Sequence, residues 1–311
     1  MEKPKDYLED VFLALAAVRD GEADRKKTRV LLDIPGAGMK GVNSAAISRV
    51  LSEADLVPAF NVITGRSSGC AVAAYTAAGK QQTKLGCELF LKEIPKCVHP
   101  ERGFGRIIDS DTILALLREG KYSLDLEAVH DSPVEEVRAG ITWRRGGGYA
   151  ELSLKYIGKA LQHSLVLNKM MGSMNIPFVS QGKRWANGYQ VIDGAVYQDP
   201  LLWQAERYRP THILIAMSAS PNDFPQRGLL PFISDAYISA RYSWHLKAIR
   251  NAHFCNLANS IRKCKEMGIS VGIIWSPPTK GGVLTKDISL LEDGFQQTLE
   301  STEKTLAGLI S

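Results

Sequence analysis

The sequence predicts an α/β protein built on a mostly parallel central sheet covered by helices on both faces. Three observations lead there. Strand-like and helix-like segments alternate from residue 29 to residue 78, the pattern of consecutive βα units. The strand segments are short and largely apolar, as strands buried on both faces are. Of 311 residues, 45% are hydrophobic, enough for a large core in one domain.

Residues 1–28 contain acids and only a short apolar run. They are expected to form an amphipathic helix packed on the domain rather than a signal peptide. Residues 29–311 are expected to form a single catalytic domain. Residues 29–34 (RVLLDI) read as a strand, 35–41 (PGAGMKG) as a glycine-rich turn, and 42–51 as a helix with Val42, Ala45, Ala46, Val50 and Leu51 at helical spacing. A second strand is expected over 60–63, a tight turn over Gly65-Arg66-Ser67-Ser68-Gly69, and a helix of small residues to Ala78. Residues 95–130 are less regular and read as a cap or substrate-access region. Further strands are expected over 134–143, 213–218 and 270–275, and a long amphipathic helix over 239–266.

Three turns carry chemistry. Gly65 to Gly69 fits G-x-S-x-G between a strand and a helix. That order suits a nucleophile elbow, which presents its central serine, Ser67, at a helix N-terminus. A Gly/Ser loop capping the helix is the plainer reading. Gly36, Gly38 and Gly41 spell G-x-G-x-x-G, yet a dinucleotide site wants an acidic residue at the end of the next strand, which here leads into the serine turn. Backbone N–H groups of such a turn also suit an oxyanion, and glycine chosen for helix–sheet packing is the third option. Asp193-Gly194, between apolar runs, is a hairpin signal on its own. It is also the carboxylate most cleanly placed in a turn that a serine could share.

Together the three turns resemble the patatin-like phospholipases, which carry a glycine-rich oxyanion loop, a G-x-S-x-G elbow and a downstream D-G-G or D-G-A. Here they are Gly36 to Gly41 (GAGMKG), Gly65 to Gly69 (GRSSG) and Asp193 to Ala195 (DGA). GSMNIPFV at 172–179, IDGAVYQDP at 192–200 and THILIAMS at 211–218 are similar to flanking segments of that family. The resemblance runs from about Arg29 to Pro278 and implies a fold related to the α/β-hydrolases. It implies Ser67 as nucleophile and Asp193 as general base of a Ser–Asp dyad cleaving lipid esters through an acyl-enzyme. The N–H groups of Gly36, Ala37 and Gly38, with that of Ser68, would form the oxyanion hole. Lys40, Gly65, Gly69 and Gly194 would support it, with no cofactor and no metal. The chain departs from the family's G-G-G-x-R-G. Lys40 keeps the charge but not the guanidinium fork, and Ala37 tolerates positive φ poorly. These departures motivate the alternative, a catalytically weak relative that binds lipid or a protein partner. A side chain at Gly38 is expected to block the oxyanion with modest effect on stability.

Other classes fit less well. A Ser-His-Asp triad wants a histidine in a late loop. His245 and His253 read instead as helix residues, His212 opens a strand, and His99, His130 and His163 precede the acid. Acyl transfer from a carrier would want a histidine and an arginine that are not visible. Cys70, Cys87, Cys97, Cys255 and Cys264 lack C-x-x-C spacing and read as free thiols of a reducing compartment. The expected location is cytoplasmic, with a peripheral membrane option. The net charge of +5 comes from 38 basic and 33 acidic residues. A solvated face is the default reading of the clusters at 138–145, 207–209, 241–250 and 262–265, and transient contact with an anionic membrane surface is the functional one. Nothing interleaves aromatics with basic residues as a nucleic-acid site would.

Overall fold

The structure, a computed structural model, describes residues 7–103, 105–155, 162–177, 179–180, 182–196, 200–221 and 257–310. His245, His253, Cys255, Tyr197, Gln198, Asp199 and the basic cluster at 241–250 lie outside them, as does the first part of the helix expected over 239–266.

Eight strands form one sheet: β1 (Val30–Ile34), β2 (Val62–Arg66), β3 (Glu136–Trp143), β4 (Tyr149–Ser153), β5 (Arg184–Ala186), β6 (Tyr189–Asp193), β7 (His212–Met217) and β8 (Ser270–Trp275). Five run parallel in the order β3-β2-β1-β7-β8. The β4 strand and the β5–β6 hairpin join β3 antiparallel. The mostly parallel α/β architecture expected from the sequence is present.

Both faces are covered because side chains alternate along each strand. Val30, Leu32 and Ile34 face one core, shared with α1 (Leu8–Arg19), α2 (Gly41–Glu53), α3 (Ser68–Ala77), α4 (Lys80–Lys92) and α10 (Ile288–Ile310). Leu31 faces the other, shared with α8 (Pro200–Tyr208) and α9 (Leu257–Glu266). Each aliphatic side chain withdrawn from water in this way contributes about 1.5–3 kcal/mol. The α1 helix buries Val11, Phe12 and Leu15 in the first core, beside β8.

Two expectations are corrected. The second strand begins at Val62, not Phe60, and extends through Gly65 and Arg66. Phe60 closes a 3₁₀ turn, and the Asn61 side chain accepts the Val30 N–H at 2.9 Å. Gly65 and Arg66 extend the strand because Ile34 and Gly140 pair with them. Residues 95–130 hold two capped helices, α5 (Ser110–Arg118) and α6 (Leu126–Asp131). Asp109 accepts from Thr112 N–H at 3.1 Å and Asp125 from Ala128 N–H at 2.9 Å, the N-caps that end the irregularity.

Candidate active site

The site lies where two strands meet end to end. On one flank of β3, β2 pairs as far as Arg66 opposite Gly140. The β6 strand then takes over that flank from Asp193 opposite Ile141, running the other way. The β4 strand occupies the opposite flank throughout. The C-terminal ends of β2 and β6 therefore converge, and the residues at those ends are Ser67 and Asp193.

Ser67 joins β2 to α3 with φ 52° and ψ −135°. A non-glycine residue in that region costs about 1–3 kcal/mol, which the surrounding contacts must offset. Close approach of backbone holds it there. A Cβ on Gly69 would lie 2.1 Å from Ile34 O, and one on Gly65 would lie 2.2 Å from Gly69 O. Ser67 is 4% exposed. Its N–H donates to Ser173 Oγ at 3.2 Å, and the Ser173 hydroxyl donates to Gly140 O at 2.6 Å. Ser173, the last residue of α7 (Gln162–Ser173), thus ties the elbow to the strand that carries both ends of the site.

Asp193 is 1% exposed. Its Oδ1 accepts the Ala195 N–H at 2.7 Å, while Oδ2 has no hydrogen-bond partner among the described residues. Burial raises its pKa to about 6, against the Ser67 hydroxyl, the Ala195 N–H and the Arg66 charge, which pull it down. Ser67 and Asp193 adjoin, without a fully formed hydrogen bond between them. Gly194 does not turn a hairpin. It opens a 3₁₀ turn over Gly194–Val196, pressed so close to β3 that a Cβ would lie 2.1 Å from Gly140 O. The hairpin nearby turns instead at Asn187-Gly188, both at positive φ, the type I′ signature.

The glycine-rich loop comes to the same place. A Cβ on Gly36 would lie 2.2 Å from the Ser67 Cβ, so the loop backs directly onto the serine. The N–H groups of Gly36 and Gly38 donate no hydrogen bond among the described residues. The Ala37 N–H donates to Ser68 Oγ at 3.1 Å, so in this conformation that candidate oxyanion donor is engaged. Ala37 has φ −152° and Gly38 has φ +56°; the positive φ falls on the glycine, and the strain anticipated at Ala37 does not arise. The Met39 N–H donates to Val283 O at 2.9 Å, pinning the loop from outside. Lys40 is half-buried and ends the 3₁₀ turn before α2.

Sequence reasoning did not find the network behind the elbow. Arg66 forms a forked pair with Asp33, at 2.6 and 3.0 Å. The Gln204 amide donates to Asp33, Thr64 and Glu151, and the Tyr149 and Tyr208 hydroxyls donate to Glu151. Alternation along β1 and β2 puts Asp33, Thr64 and Arg66 on the face of α8, a parity visible in the sequence once the register is known.

No histidine hydrogen-bonds Ser67 or Asp193 among the described residues. His212 opens β7 beside Val30 and Ser270, at the N-terminal ends of the parallel strands and away from the elbow, with its ring 2.8 Å from Thr211 Oγ1. Cys70 is buried beside Ser173 and Asp193, and burial pushes its thiol up to about 12, which keeps it an unreactive core residue. No cluster of three or more potential metal ligands occurs among the described residues. No helix there is long and apolar enough to cross a membrane.

No protein-family model and no curated protein matches the chain. Among solved structures, the chain is similar to VipD from Legionella pneumophila, at 11% identity and a TM-score of 0.42. The match covers 90% of this chain and 67% of VipD.

Proposed function

We propose that the protein is a lipid acyl hydrolase that cleaves carboxylic esters through a Ser67–Asp193 dyad. One observation carries the reading: a serine in a strained strand-to-helix turn adjoins a buried aspartate with a raised pKa and one oxygen that has no partner among the described residues. A carboxylate is ordinarily too weak a base near neutral pH. Burial moves Asp193 toward the range in which general-base catalysis is efficient.

Ser67 Oγ attacks the ester carbonyl as its proton passes to Asp193. The tetrahedral intermediate collapses to an acyl-enzyme, and the departing alkoxide takes that proton. Water, deprotonated by Asp193, then releases the acid and restores Ser67. The Gly36 and Gly38 N–H groups and the N-terminus of α3 stabilise the oxyanion, and the Ala37 N–H joins them when it leaves Ser68. A lipid ester as substrate rests on the resemblance of the three turns to the patatin-like phospholipases. The engaged Ala37 N–H favours the second reading, a relative that binds lipid or a protein partner with little hydrolysis.

Fluorophosphonate labelling and chromogenic esters of graded acyl length separate the two. Ser67→Ala should abolish labelling and turnover, and Asp193→Asn should lower turnover by about 10²–10⁴. Ser68→Ala, which frees the Ala37 N–H, should stay active. Full labelling of Ser67→Ala would discard the dyad, and a wild type inert on every chain length would establish the binding reading.

A further inference from the structure

The β5–β6 hairpin continues the sheet past the point where β2 ends, so it projects from the edge that carries Ser67. Tyr189 precedes Asp193 by four residues along β6, placing the tip about 13 Å beyond the carboxylate at 3.3 Å per residue. The β3–β4 turn reaches the same height, where the Arg144 N–H donates to Gln190 O at 3.0 Å.

The composition of this projection is unusual for the chain. Trp185 is 57% exposed and Tyr189 67% exposed. The register puts them on opposite faces of the hairpin, so they flank the Asn187-Gly188 tip. Segments 143–149 and 182–192 contain Arg144, Arg145, Lys183 and Arg184 and no carboxylate. Arg184 is paired with Asp111 at 2.9 Å and Arg144 bonds Gln190, while Arg145 and Lys183 are exposed. Two of these basic residues lie in the β3–β4 turn and two at the start of the β5–β6 hairpin, in a chain whose net charge is +5. Amphipathic Trp and Tyr rings settle at the level of lipid headgroups, and exposed basic residues beside them are drawn to anionic lipid.

We infer that the β5–β6 hairpin and the β3–β4 turn form a membrane-docking surface for anionic bilayers, seating the Ser67 edge against its lipid. The inference rests on the lipid-hydrolase reading for its purpose, but its binding step is independent of catalysis. The aromatics enter the interface while Arg145 and Lys183 engage headgroup phosphates and carboxylates. Each basic residue near such a surface is worth about fivefold in affinity.

The test uses the full chain carrying Ser67→Ala, so that vesicles are bound and not consumed. Sedimentation with phosphatidylcholine vesicles containing phosphatidylserine should show binding that is weak on phosphatidylcholine alone. Trp185→Ala with Tyr189→Ala, and separately Arg145→Glu with Lys183→Glu, should each reduce binding by about tenfold or more. With Ser67 intact, the same pairs should leave turnover of a soluble short-chain ester unchanged. No vesicle binding, equal binding without phosphatidylserine, or binding that survives both pairs would overturn the surface. So would a dimer, seen by light scattering, that Trp185→Ala dissolves, because the exposed β5 edge would then serve a second copy. Loss of short-chain turnover in the wild type would instead count against the hydrolase.

Discussion

At Asp193, the proposed role as proton acceptor and the stability of the fold pull in opposite directions. Its folded pKa is raised from 3.8 to about 6, chiefly by burial. The stability associated with the protonated carboxyl is therefore complete below about pH 4 and lost as pH rises through about 6. The difference corresponds to about 3 kcal/mol. A proton acceptor must be ionised, so ester turnover should rise with pH along an acid limb near 6. Asp193→Asn removes the buried charge and keeps an oxygen for the Ala195 N–H. It should melt above the wild type at pH 8, with the advantage vanishing near pH 4, in paired thermal scans at the two pH values. An advantage equal at both would mean that burial of charge is not what distinguishes the site. Ser67 and Asp193, which the fold brings together, were both candidates in the sequence, because a strand–turn–helix around G-x-S-x-G and an aspartate in a glycine turn are local patterns. Ser173 lies in the 172–179 segment singled out from the sequence, but its role was not legible, since a serine hydroxyl acquires its role from the backbone atoms that tertiary packing brings to it.

Among the elements, the decisive arrangement is the meeting of β2 and β6 on one flank of β3. Neither strand could be placed there from sequence, because register and flank depend on pairings between residues far apart in the chain. The β1 and β2 strands were legible as apolar runs leading into glycine turns, and 270–275 coincides with β8. The antiparallel β5–β6 hairpin was not, although Asn187-Gly188 carried its signal; Asp193-Gly194, the more conspicuous pair, turned out to need its glycine for contact with Gly140. The glycine loop shows the same dependence on approach. Gly36→Ala would put a Cβ 2.2 Å from Ser67 Cβ and 2.6 Å from Arg66 O, forcing the loop off the elbow. Its kcat/KM should fall by about 10² or more, as for loss of an oxyanion donor, while fluorophosphonate still labels Ser67 slowly and the thermal transition stays cooperative. Labelling at the wild-type rate with normal turnover would remove Gly36 from the site. Gly38→Val is a poorer probe than the sequence suggested. Gly38 has φ +56°, and its Cβ would meet Val283 O at 2.4 Å, so the substitution strains the fold and the loop together.

Across the whole molecule, the elbow stands on a buried charge network that joins β1, β2, β4 and α8. Burial is the largest single effect on Arg66 and works against its cation, but Asp33, Tyr149 and Glu151 together outweigh it, so the Arg66 pKa is raised. Burial also raises the pKa of Glu151, despite hydrogen bonds from Tyr149, Gln204 and Tyr208. A buried pair of this kind adds little net stability when intact, but removing one partner typically costs about 3–5 kcal/mol. That is a large share of the roughly 5–15 kcal/mol that holds a domain together. Arg66→Met should therefore lose about 3–5 kcal/mol in urea unfolding. The loss should grow as pH rises, because a buried carboxyl with a raised pKa destabilises the fold once ionised and Glu151 would then lack the favourable Arg66 charge. Arg66→Met with Asp33→Asn removes both charges of the pair and leaves an amide that Thr64 and Gln204 can still donate to. The double variant should recover part of the deficit, giving a coupling of about 0.5–3 kcal/mol between the two positions. Strictly additive costs would show that the pair is not coupled and that Arg66 stabilises the elbow by packing alone.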